Sequence, residues 1–153
     1  MCDLAMQSDL ALFDGNVTGV ASCWFRLAQE HLDDARVALS SGRSRAVYSR
    51  AYYGAYNASK AVRYLVNGEV SLKGDDHRKA SELPDDFPRV DHWSRVITEL
   101  YEDRLRADYE NWANTPAEHT HLPDECLRHA DGFVAECRQY LLRSMECPCN
   151  ERV

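Results

Sequence analysis

One stretch, Ser44 to Leu65 (SRAVYSRAYYGAYNASKAVRYL), constrains the fold more than any other. At three- and four-residue spacing, Val47, Ala51, Gly54, Ala55, Ala58, Val62 and Leu65 make one apolar stripe of mostly small side chains, so a partner helix can approach closely. That face belongs in a core. Tyr48, Tyr52 and Tyr56 form a second stripe at four-residue steps, and no Asp or Glu occurs between Arg43 and Gly68, although the whole chain carries a net charge of −7. An acidic chain has placed a basic, tyrosine-rich helix at its centre.

The flanking segments are helical too. Val20, Trp24, Leu27, Ala28, His31, Leu32, Ala35, Ala38 and Leu39 recur with helical period, and Gly42 is the expected stop. Ser44 is then expected as the N-cap of the central helix, which should run to about Val66 and end at Asn67-Gly68. So short a connection predicts that these two helices pack antiparallel. Residues 69–89 are rich in Gly, Asp and Pro and read as a loop with a helical turn or two around His77 to Leu83. Asp91 is expected to cap a third long helix, with Trp93, Val96, Ile97, Leu100 and Arg104 on one face and Tyr101, Leu105 and Tyr109 beside them. After a break at 111–122, Pro123 opens a last helix with the stripe Cys126, Ala130, Phe133, Val134, Cys137, Tyr140 and Leu141. No segment alternates with period two for long enough to be a strand. The expectation is an all-α fold, an antiparallel bundle of four to five helices: an arm over residues 1–17, a helical domain over 18–146 and a tail over 147–153.

A chain of 153 residues fits one domain with its own core. No apolar run approaches the ~20 residues of a membrane span, and the N-terminus has acids where a signal peptide needs bases. Six cysteines in a chain this size suit reduced thiols, so a cytoplasmic location is expected and no membrane. An acidic protein binds nucleic-acid backbone poorly as a whole, which leaves RNA contact to a local patch. The central helix supplies one.

Three groups of residues could carry chemistry. Arg104 falls where the apolar stripe of its helix would continue, so its guanidinium turns toward the interior and needs a partner. Asp108, one turn on, can be that partner, with Tyr109 beside it; the other reading of Arg104 is an anion site suited to phosphate. Arg50 and Asn57 share a face of the central helix and are expected to border a polar groove against Arg104 and Asp108, while Tyr52 and Tyr56 could serve a dimer contact or stack a ligand. His119, His121, Cys126 and His129 are zinc-ligand types, but Cys126 lies on an apolar stripe, which favours a core thiol. Cys147-Pro148-Cys149 is a tail pair that reads as incidental. No glycine-rich phosphate loop or nucleophile motif is present, and no cofactor is expected.

The series SRAYYGAYNASKAVRYL, a lone His77, then LYEDRLRADYE resembles the HEPN superfamily of small prokaryotic helical proteins, in particular the branch with a RAYYAAFHAAKALL helix and an R-x-x-ADY segment. The resemblance runs from about Trp24 to Tyr140. It implies an antiparallel bundle, a homodimer, and metal-independent ribonucleases acting in toxin–antitoxin or phage-defence systems, often encoded beside a nucleotidyltransferase. The family pattern is an arginine, four to six residues, then a histidine. Arg104 matches the arginine, but the histidine positions hold Tyr109, Glu110 and Asn111. That departure favours a module that binds RNA, a nucleotide or a partner protein through an Arg104-centred groove. The alternative is a metal-independent endoribonuclease using Arg104, with Tyr109, Asn57 or a loop histidine (His77, His92, His119 or His121) as its polar partner.

Overall fold

The structure is a computed structural model and describes residues 17–68, 76–110 and 118–146; the expected arm and the Cys147–Cys149 tail pair lie outside them, apart from Val17, which opens the first helix. Among the described residues there are five helices and no strand: α1 (Val17–Ser40), α2 (Ser44–Asn67), α3 (Asp76–Lys79), α4 (Val90–Tyr109) and α5 (Pro123–Glu146). None is long and apolar enough to cross a membrane.

Three residues separate α1 from α2. The backbone N–H of Arg43 reaches the carbonyl of Ala38 at 2.9 Å, and Gly42 has φ 68, so the left-handed turn that ends α1 falls on a residue without a side chain. Arg50 meets His31 and, farther along α2, Lys60 meets Trp24, which fixes the two helices as antiparallel. α2 is the hub, packed against α1, α4 and α5. Its small stripe is fully buried from Val47 through Ala51, Ala55 and Ala58 to Val62. Gly54 sits where α1 comes closest: a Cβ there would stand 2.7 Å from Leu32 Cδ2 and 3.3 Å from the Ala28 carbonyl.

The tyrosine stripe differs from expectation. Tyr48, Tyr52 and Tyr56 are buried within the chain, so they are neither a dimer face nor an open stacking platform. Around them Phe87, Trp93, Ile97, Leu100, Phe133 and Leu141 close the core, each such side chain contributing about 1.5–3 kcal/mol.

Two expected caps are corrected. Ser44 is the first residue of α2, behind an Arg43 that makes no side-chain cap bond. α4 begins at Val90 after Arg89, whose φ of 51 is left-handed, and Asp91 lies in the first turn, where its charge favours the helix N-terminus. Pro123 opens α5 as expected, with Glu125 Oε2 accepting from the Leu122 backbone N–H.

Candidate functional site

Because Arg104 continues the Trp93–Ile97–Leu100 face of α4, its side chain turns against α2 and is only 8% exposed. Its Nη2 donates to the Tyr53 hydroxyl at 2.7 Å and lies 3.4 Å from the Tyr109 hydroxyl. Its Nε forms the expected ion pair with Asp108 Oδ2 at 2.8 Å, a contact of charges, since that buried N–H has no aligned acceptor among the described residues. The guanidinium carbon is 5.2 Å from the ring centroids of Tyr53 and Tyr109 and 6.0 Å from that of Tyr52, within cation–π range. Burial opposes its charge, but Tyr53, Asp108 and Tyr109 outweigh burial and raise its pKa. Tyr109 is 70% exposed and stands at the solvent edge of this cage.

A histidine joins the same cluster. His77, carried by α3, has Nδ1 2.9 Å from the Tyr52 hydroxyl, stacks on Tyr56 at 4.4 Å and faces Tyr101 at 6.1 Å. Burial first, then the Arg104 charge, push its pKa below the ordinary value, which favours the neutral imidazole. Tyr52 thus lies between guanidinium and imidazole, its own pKa driven far up by burial so that the phenol stays protonated.

Arg50 is exposed and its Nη1 lies 3.3 Å from Nδ1 of His31, whose ring is 5.6 Å from that of Tyr53. A guanidinium can only donate, so His31 Nδ1 is the acceptor. Burial and the Arg50 charge lower the pKa of His31. The end of α4 is held from α2: Arg45 donates to the carbonyls of Ala107 at 2.6 Å and Glu110 at 3.0 Å, which collects the carbonyls that a helix C-terminus leaves unpaired.

Of the residues expected here, Arg104, Asp108, Tyr109 and Tyr52 converge. Tyr56 stands behind them, its hydroxyl given to Asp76. Asn57 does not take part: its amide donates at 2.8 Å to the Tyr53 carbonyl of its own helix. Among the described residues, Arg50 is linked to the cluster through His31 and Tyr53. Tyr53 and Tyr101 were not anticipated; Tyr53 shares a face with Asn57 and Arg50, a signal present in the spacing.

The zinc-type residues do not assemble. No group of three or more His, Cys, Asp or Glu among the described residues could hold a metal ion. His121 is bound by carboxylates, Nδ1 to Asp103 at 2.8 Å and Nε2 to Glu99 at 3.2 Å. His119 stacks on Tyr48 at 3.9 Å, and Cys126 is a core thiol whose pKa burial raises well above its usual value. His129 lies 4.8 Å from His121, ring to ring, without a shared ligand geometry.

A search of curated proteins finds no match. A family model described as HEPN domain matches residues 21–140, which takes in most of α1, the whole Arg104 cluster and most of α5. The chain belongs to the HEPN domain family.

Proposed function

We propose that the protein is a metal-independent endoribonuclease of a toxin–antitoxin or defence-type system, working as a homodimer, with Arg104 and His77 as its catalytic residues. The observation that carries this reading is the place of His77 in the tyrosine cluster around Arg104. An imidazole from α3 stands against Tyr52, whose ring faces the arginine, and it can serve as the proton acceptor that the tyrosine at position 109 does not supply. A neutral imidazole takes the proton of an RNA 2′-hydroxyl as its oxygen attacks the adjacent phosphorus. Arg104 balances the charge that builds on the phosphoryl oxygens. The bond to the 5′-oxygen breaks, the imidazolium returns the proton to that oxygen, and the products are a 2′,3′-cyclic phosphate and a 5′-hydroxyl. Tyr109, at the mouth, offers a ring face to an unpaired base. A nucleotidyltransferase-type antitoxin partner belongs to the same reading, on the strength of the family resemblance.

One observation favours a second reading, in which the groove binds RNA, a nucleotide or a partner protein without cleaving. Arg104 is nearly buried and two of its nitrogens already face Tyr53 and Asp108. RNA incubated in chelator with the wild-type protein and with Arg104→Ala separates the two. Cleavage by wild type alone supports the enzyme; intact RNA with both supports binding. Sizing at micromolar concentration tests the dimer, and a monomer there overturns that part of the proposal.

A further inference from the structure

A four-residue helix cannot hold itself in water, so α3 keeps its place only through contacts to its neighbours. They are strong ones. Asp76, 1% exposed, accepts from Arg63 Nη1 at 2.9 Å and Nη2 at 3.2 Å and from the Tyr56 hydroxyl at 2.7 Å. Lys60 Nζ lies 3.8 Å from the same carboxylate and 4.2 Å from the centroid of the Trp24 ring. Ser59 Oγ donates to the Ala80 carbonyl at 2.6 Å, and Ser94 Oγ to that of Ser81 at 2.7 Å, so the residues after α3 are fastened to both α2 and α4. Lys60 and Arg63 are themselves buried, and this one carboxylate serves both cations.

The neighbour of Asp76 in the chain is His77. The groups that face or act on that imidazole are Tyr52, Tyr53, Tyr56 and Lys60 from α2, Arg104 and Tyr101 from α4, and Asp76 from its own helix. Two of them are cations. Among the described residues, Asp76 is the single anion.

We propose that Asp76 is the positioning residue of this site: its carboxylate pins α3 so that His77 stays among the tyrosines, and its charge offsets those of Arg104 and Lys60 at the imidazole. The inference rests on His77 acting as the proton acceptor. A clamp alone would explain the hydrogen bonds; the charge makes the proposal distinct, because it ties the proton affinity of His77 to a residue that touches no substrate. The sign is fixed. Removing this anion leaves the effect of Arg104 and Lys60 unopposed by it, so the imidazole binds its proton at lower pH.

The test is the NMR titration of the His77 ring in the full-length protein, with Asp76→Asn as the variant and circular dichroism as the check on folding. The midpoint should fall by roughly one pH unit, the order expected when one unit charge is removed beside an imidazole. The acid limb of RNA cleavage should move down with it. An unmoved midpoint in a folded Asp76→Asn protein overturns the proposal and leaves Asp76 a plain clamp. Should that variant not fold, Lys60→Met carries the test, since it removes one cation and should move the midpoint up; no movement there overturns the proposal too. The titration needs no RNA. If wild type leaves RNA intact while the midpoint moves, the ribonuclease reading falls and the coupling of Asp76 to His77 stands.

Discussion

The hydroxyl of Tyr52, on α2, lies 2.9 Å from Nδ1 of His77, on α3. The ring that bears this hydroxyl faces the guanidinium of Arg104 at 6.0 Å, so one buried phenol stands between both groups proposed to act on a phosphodiester. Tyr52→Phe keeps the ring and deletes the bond. Stability should fall by about 0.5–1.5 kcal/mol in urea denaturation, and cleavage by about ten-fold, the worth of one orienting hydrogen bond. A variant that cleaves at the wild-type rate would remove Tyr52 from the account.

Tyr109 differs from the other tyrosines because it is largely exposed. With Arg104 under one face of its ring, the other face is open to an unpaired base. Tyr109→Ala should weaken binding of a single-stranded RNA by about 1–3 kcal/mol, read by fluorescence anisotropy, while Tyr109→Trp retains it. Equal affinities for wild type and Tyr109→Ala would contradict a stacking role.

The closest approach of α1 and α2 depends on Gly54. Gly54→Ala gains about 1 kcal/mol of helix propensity but drives a methyl into Leu32 and the Ala28 carbonyl. Overpacking of that kind costs about 1–3 kcal/mol, and a backbone carbonyl cannot step aside as a side chain can. A lower urea midpoint is expected, and Leu32→Ala, itself costly at about 2–5 kcal/mol in the core, should cost less when added to Gly54→Ala than alone, since the two changes share one contact.

Asp103 is fully buried beside the arginine and holds the segment that leads into α5. It accepts from the backbone N–H of Thr120 at 2.6 Å and of His121 at 3.1 Å, and from the His121 ring. Asp103→Ala strands these donors, of which the His121 N–H and ring are buried, and should cost about 2–4 kcal/mol. Hydrogen exchange at Thr120 and His121 should rise far more than in α1, because the damage is local.

Acid sensitivity follows from Asp76. Burial works to raise its pKa, but Arg63, Tyr56 and Lys60 outweigh burial and hold it below the usual carboxylate value. Its stabilising contribution is therefore complete above the ordinary range near pH 4 and is lost as pH falls through the lowered folded value. Asp76→Asn should show a shallower loss of stability over that acid range than wild type.

The helices were legible because each long one carries an apolar stripe of helical period. The start of α4 was not: Arg89 takes a left-handed conformation that no residue type announced, so Asp91 looked like a cap and proved to be a first-turn residue. Spacing placed Asn57 beside Arg50, yet its amide turned back to its own helix, a local bond that competes with any groove. The histidine cluster of the 119–129 region looked like a metal set because ligand type is visible in sequence and convergence is not. His77 was visible only as one of several loop histidines. A sharper signal was there: Lys60 and Arg63 lie in a stretch without a single acid, so buried cations on that helix require a carboxylate from elsewhere, and the Asp76-His77 pair follows next in the chain after few alternatives.

The central claim is that His77 does the work of the histidine missing at position 109, and His77→Ala tests it most directly. Purified wild-type and variant proteins are incubated with RNA in chelator, with the product termini identified and free imidazole added in a parallel set. The account predicts 2′,3′-cyclic phosphate ends with wild type, a loss of about 100-fold or more with His77→Ala, and partial recovery with imidazole. Undiminished cleavage by a folded His77→Ala protein would contradict it.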